Sequence, residues 1–186
     1  YMAMENPTKT YRLALIGVMT AILCILGPLS IPLPFSPVPL SLTNFAILLA
    51  VFLLGWKWGT VSCGIYLLLG LVGVPVFSGF SGGMAKLLGP TGGYLVGFLL
   101  LAVISGLFVE KFEQARLPVA AGMALGMLVD YLFGTLWLAI LMKLSFGQAL
   151  MMGVVPYLAG DAVKLIIALL LGSALRRRLQ ALRILV

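Results

Sequence analysis

From Val154 to Leu175 the chain carries only two full charges, Asp161 and Lys164, in a run otherwise apolar enough to cross a bilayer. A crossing helix needs ~20 such residues. Further apolar runs recur along the 186 residues. That repetition restricts the fold more than any other feature, because the hydrocarbon interior admits only helices or closed barrels, which satisfy their own backbone groups. The runs are continuously apolar rather than alternating, so they read as helices. Hydrophobic residues make up 62% of the chain and charged ones 9%, against roughly 25% charged in soluble domains. The expected fold is an all-α integral membrane protein with six transmembrane helices, one membrane domain over residues 1–186.

The spans run about Tyr11–Gly27, Ser41–Leu54, Trp56–Leu71, Thr91–Phe108, Pro118–Met142 and Pro156–Leu175. The stretch from Pro28 to Pro39 cannot be helical, since each proline removes a donor and restricts the residue before it. Gly73 to Pro90 reads as a Gly-rich loop, and Gln148 to Val155 as a short re-entrant or surface helix. Residues 1–10 read as an N-terminal tail, partly foreign, with Met2 and Met4 as candidate starts. Residues 176–186 read as a basic tail. The first apolar run lacks a small-residue cleavage site and is expected to be a retained helix.

Charge then sets the orientation. Lys9, Arg12, Lys57, Lys111, Arg116, Arg176, Arg177, Arg178 and Arg183 fall on one side, and only Lys86 and Lys143 on the other. Nine against two places both termini in the cytoplasm, with the Gly-rich third loop outside. Trp56 and Trp58 beside Lys57 fit an interfacial belt. The net charge of +7 belongs to this pattern and not to a nucleic-acid surface.

Several classes drop out. There is no His, and Cys24 and Cys63 lie alone in apolar segments, where free thiols pack as small hydrophobes. No residue cluster resembles a metal site, and no cofactor is implied. No phosphate-binding G-x-x-x-x-G-K-[ST] occurs, so the chain does not hydrolyse ATP itself. Two buried acids without His, metal or paired nucleophile give an intramembrane enzyme little to work with.

A charged side chain at bilayer depth costs at least ~2.5–3.5 kcal/mol and is usually functional. Asp161 and Lys164, three residues apart, project from one helix face, on a stripe with Tyr157, Ala168 and Gly172. At 1.5 Å rise, they lie about 7 and 12 Å inward from Pro156, reachable from outside. An ionised Asp accepts and a Lys donates, so the pair suits a ligand bearing both N–H and carboxylate groups, unless the two merely satisfy each other. Spans two, four and six start at the outer face, where free N–H groups favour an anion. Thr91 reads as the N-cap of span four, with Gly92 and Gly93 allowing either backbone approach by a ligand or close helix packing. Thr43 and Asn44 open span two. Asp130, with Gly122, Gly126, Gly134 and Trp137, reads as a second buried acid and an alternative partner for Lys164. Ala14, Gly17 and Ala21 form a small-residue face on span one, suited to a partner helix.

Gly73-Val-Pro-Val-Phe77, Gly82-Gly83, the run Leu88-Gly-Pro-Thr-Gly-Gly-Tyr-Leu-Val-Gly-Phe98 and the late Gly160-Asp161-x-x-Lys164 resemble the BioY family over nearly the whole chain. These are biotin-specific S components of energy-coupling factor (ECF) transporters. The resemblance implies a prokaryotic plasma-membrane protein that binds biotin from outside, partnered by a transmembrane coupling subunit and two ATPases. It implies Asp161 and Lys164 as contacts to biotin's polar groups. Gly82, Gly83, Thr91, Gly92 and Tyr94 would shape and cover the pocket, with Asn44 and Tyr157 completing the substrate-binding set. Family members dock the coupling subunit through alanines four apart on the first helix; here Ala14 is followed by Val18, and the small pair is Gly17 and Ala21. The alternative is a self-sufficient proton-coupled carrier of biotin or another small carboxylate, with Asp161 or Asp130 as the proton site.

Overall fold

The computed structural model describes residues 7–112 and 115–181. It is helical almost throughout: α1 (Pro7–Leu26), α2 (Thr43–Leu71), α3 (Met84–Leu87), α4 (Gly92–Lys111), α5 (Arg116–Met142), α6 (Phe146–Gly153) and α7 (Leu158–Ala181). Two short strands, β1 (Ser30–Leu33) and β2 (Ser36–Ser41), lie between α1 and α2. Five helical stretches are long and apolar enough to cross a membrane, and α2 accounts for two crossings.

The second helix, 29 residues long, is two helices joined at Gly55 (φ 76°, ψ −178°), a conformation essentially reserved for glycine. Its halves fold back on one another: a Cβ added to Gly59 would meet the Val51 Cα at 2.7 Å, whereas a straight helix would hold residues 51 and 59 about 12 Å apart. The expected boundary between Leu54 and Trp56 is therefore a hairpin of helices. At the break, the Glu110 carboxylate accepts from the Trp56 N–H at 3.2 Å and supplies the second half with an N-terminal acceptor. The first half is buried on every side, with Ala46 through Gly55 all enclosed, which explains why its sequence is apolar all round rather than amphipathic.

Around this central half-helix stand α1, α4 and α7, and α5 packs on α4. The α4–α5 seam is built on glycine. Positions where Gly93 and Gly97 would carry a Cβ are occupied by Trp137 and Asp130, while Gly122, Gly126 and Gly134 of α5 meet Phe108, Ser105 and Tyr94; Gly106 in the same way lets α4 approach Trp56 of α2. Such surfaces let backbones approach closely where lipid offers no hydrophobic drive. One polar bond crosses the α1–α2 contact, Thr20 Oγ1 to Ser62 Oγ at 2.9 Å, fully buried. Thr20→Val is expected to destabilise by about 1 kcal/mol in a thermal melt of the detergent-purified protein, because Ser62 keeps its desolvation cost. Adding Ser62→Ala should return part of that loss.

Expected boundaries shift for identifiable reasons. The short helix begins at Phe146 rather than Gln148, because Ser145 and Gln148 form a reciprocal capping box, with Gln148 N to Ser145 Oγ at 3.3 Å and Ser145 N to Gln148 Oε1 at 3.0 Å. It stops at Val154 (φ −129°), so its eight residues cap the outer side and do not cross. The Pro28–Pro39 stretch is non-helical as expected, but orders into an antiparallel hairpin pairing Ser30 with Ser41 and Ile31 with Leu40, with a bulge around Pro32. The third loop contains α3. The first helix starts at Pro7, so the end of the expected N-terminal tail is helical; residues 1–6 lie outside the described residues. The basic tail continues α7 to Ala181, and residues 182–186, with Arg183, lie outside the described residues. Lys57 and Arg12 sit 5.2 and 5.5 Å from the Trp58 ring centroid, an arrangement suited to an interfacial belt.

Candidate functional site

The charged pair of α7 sits under the β-hairpin, against the start of α2. Lys164 Nζ donates to Asp161 Oδ1 at 2.8 Å, to the Ser41 carbonyl at 2.5 Å and to Asn44 Oδ1 at 3.4 Å. All three ammonium protons are thereby engaged. Asp161 Oδ1 also accepts from Asn44 Nδ2 at 2.9 Å, and Oδ2 accepts from the Tyr131 hydroxyl. Asn44 is itself fixed, its Oδ1 accepting from the Phe45 N–H at 3.0 Å. The side chains of Asp161 and Lys164 are only 7% and 12% exposed. A buried ion pair is tolerated only when further hydrogen bonds satisfy it, and here α2 supplies two through Asn44, and α5 and the hairpin one each.

Beside the pair lies a cavity of about 60 Å³. One wall is Val38, Pro39 and Ser41 of β2, and another is Asn44 with Asp161, Lys164 and Tyr157. Tyr94 and Phe98 of α4, Asp130 and Tyr131 of α5, and Gly153 of α6 close it. A second space of about 40 Å³ shares Val38, Pro39, Ser41, Tyr94 and Phe98 and extends to Thr43, Tyr66, Ser78 and Thr91. The aromatic walls are pinned at their polar ends. The Tyr94 hydroxyl donates to the Gly153 carbonyl at 3.1 Å, and the Tyr157 hydroxyl bonds Ser36 Oγ at 2.9 Å and the Val38 carbonyl. Concave, mostly apolar, with a few convergent polar groups, the site has the character of a small-molecule pocket.

The residues singled out in the sequence separate here. Asp161, Lys164, Asn44, Tyr94 and Tyr157 surround the cavity, and Thr91 borders the second space. Gly82, Gly83 and Gly92 line neither. The Cβ position of Gly92 is taken by the Leu87 carbonyl and that of Gly93 by the Trp137 side chain, so these two glycines serve close packing and offer no open backbone to a ligand. Thr91 precedes α4, but its side chain makes no capping bond, and its hydroxyl has no partner among the described residues. Lys164 pairs with Asp161 and not with Asp130, which is 4% exposed and presents Oδ1 toward Gly97 without a partner among the described residues.

Tyr131, Ser41 and Phe98 escaped the sequence reading. Tyr131 follows Asp130 by one residue, but as one aromatic among several in an apolar helix it carries no distinguishing signal in the sequence. The Ser41 carbonyl carries no side-chain signature at all.

The BioY family model matches residues 3–181. A biotin transporter BioY of Thermotoga maritima is 39% identical over 161 residues, covering 87% of this chain and 93% of that protein. A probable biotin transporter BioY of Pyrococcus horikoshii is 37% identical over 90% of this chain and 98% of the relative. A crystal structure of the S-component for biotin from an ECF-type ABC transporter superposes with a TM-score of 0.87 at 35% identity, covering 94% of this chain and 95% of the other.

Proposed function

We propose, because this chain belongs to the BioY family, that it captures biotin as the substrate-binding S component of an ECF-type transporter. It is a multi-pass membrane protein and a transporter component, not an enzyme. The observation that carries the reading is the Asp161 network opening on an aromatic-walled cavity. Asp161 Oδ1 holds two donors, while Oδ2 holds only the Tyr131 hydroxyl and retains acceptor capacity. A ureido N–H of biotin fits that vacancy, with the bicycle among Tyr94, Phe98, Tyr131 and Tyr157. The acyl carboxylate then extends toward the second space, where the unpartnered Thr91 hydroxyl and the start of α4 favour an anion. Lys164 stays with Asp161 and supplies its countercharge at a depth where a lone carboxylate is costly. Spaces of 60 and 40 Å³ hold only a few waters, so loading requires β2 or the Tyr94–Phe98 wall to move and join them. Gly82 and Gly83 act in the covering loop rather than in contact.

The partner module is a transmembrane coupling subunit with two ATPases, in a prokaryotic plasma membrane. Ala14, Gly17 and Ala21 are all exposed on α1 and form its docking face. A Cβ on Gly17 would meet nothing within 4 Å, so Gly17→Leu costs the isolated protein nothing while obstructing a close partner helix. The expected result is unchanged biotin affinity with co-purification of the module reduced about tenfold or more, the equivalent of ~1.4 kcal/mol. A normal complex from the Gly17→Leu variant would remove this face from the docking surface.

Labelled-biotin uptake into proteoliposomes tests the whole reading. Uptake is expected only with the ATP-hydrolysing module present and ATP supplied. Ionophore-sensitive uptake by the lone chain would instead establish the proton-coupled carrier.

A further inference from the structure

A second built cavity, of about 240 Å³, lies at the opposite end of the bundle from the Asp161 site. Its polar lining includes Arg116, at the start of α5, and Arg176, Arg177 and Gln180, near the end of α7; Phe52, Val119 and Leu169 form an apolar floor. The break at Gly55 leaves the last carbonyls of the first half of α2 without helical partners, and Arg176 Nη1 takes one of them, Phe52 O, at 2.8 Å. That bond fixes one guanidinium at the cavity wall. Arg116 and Arg177 form no hydrogen bond or ion pair among the described residues, and no acid lines the cavity among them. Glu110, close by in sequence, is committed to the Trp56 N–H.

Three guanidiniums over an apolar floor, at the membrane boundary, suit a phosphodiester better than a soluble anion. Guanidinium groups bind phosphate in bidentate fashion and desolvate more readily than ammonium groups. The rim is continuous with side chains facing lipid: Leu117 is 85% exposed, Leu170 51% and Ile166 54%. These would take the acyl chains of the same molecule. The loop charges put this end on the cytoplasmic side, where anionic lipids concentrate.

We infer that the cavity between α2, α5 and α7 binds the headgroup of an anionic phospholipid, its phosphate held by Arg116 and Arg177. The bound lipid ties the start of α5 to the end of α7 across the end of the first half of α2.

Native mass spectrometry of the purified full chain, titrated with phosphatidylglycerol, phosphatidylcholine or inorganic phosphate, tests this. Phosphatidylglycerol should bind roughly tenfold more tightly than phosphatidylcholine, and millimolar inorganic phosphate should not displace it. The double variant Arg116→Gln with Arg177→Gln should lose that preference. Leu169→Trp, which fills the floor and leaves every charge in place, should weaken binding similarly, and helical circular dichroism confirms that both variants are folded. Equal affinity for the two lipids, or undiminished phosphatidylglycerol binding by both variants, would overturn the proposal. Displacement by inorganic phosphate alone would identify a free-anion site instead.

Discussion

Asp161→Asn should weaken biotin binding by at least ~1.5 kcal/mol, tenfold or more in Kd, as expected for a lost hydrogen bond to a charged group. The substitution preserves shape and leaves one acceptor oxygen for Asn44, but it removes the countercharge of Lys164. Removing one member of a buried pair costs about 3–5 kcal/mol of stability. Here the Ser41 carbonyl and Asn44 Oδ1 continue to hold the ammonium, which places the loss toward the lower figure. The two consequences are separable. In Asp161→Asn combined with Lys164→Met no charge is left stranded, so the melting temperature should recover while affinity stays low. If affinity recovers together with stability, Asp161 acts only through the fold and does not touch the ligand.

Gly55→Ala should be strongly damaging for a single added methyl. At φ 76° and ψ −178° a non-glycine residue costs about 1–3 kcal/mol. The new Cβ also falls on Glu110 Oε1, which must then leave the Trp56 N–H, adding about 1 kcal/mol. A total near 3 kcal/mol lowers the melting temperature by about 6–12 °C for a chain of this size. Gly64→Ala is the control: Gly64 lies in the second half of α2 with nothing within 4 Å of its added Cβ, so its helix should be unchanged or firmer. Equal melting of the two variants would mean that the reversal at Gly55 does not depend on glycine geometry.

The spans were legible because lipid imposes its demands residue by residue. Charges collect at the ends, prolines interrupt, and even the Leu54–Trp56 boundary marks the observed reversal at Gly55. The β-hairpin was not legible, since four prolines between Pro32 and Pro39 argue against a sheet unless both strands are edges, as they are here. In the site, Asp161 and Lys164 announce themselves by their cost in an apolar run. Side chains that contribute through ordinary residue types do not. Tyr131 reads as one more aromatic in α5 until its hydroxyl is seen on Asp161, and the Ser41 carbonyl is a backbone group placed by the hairpin. Gly92 and Gly93 show the converse: glycine signals close approach without saying what approaches. The approaching groups are Leu87 and Trp137.

Calorimetric titration of biotin into the purified chain, beside the Asp161→Asn variant, addresses the central claim most directly. The account predicts one saturable site per chain in the wild type, and a Kd raised at least about tenfold in the variant. Absence of saturable binding, or an identical Kd in the two proteins, would contradict it.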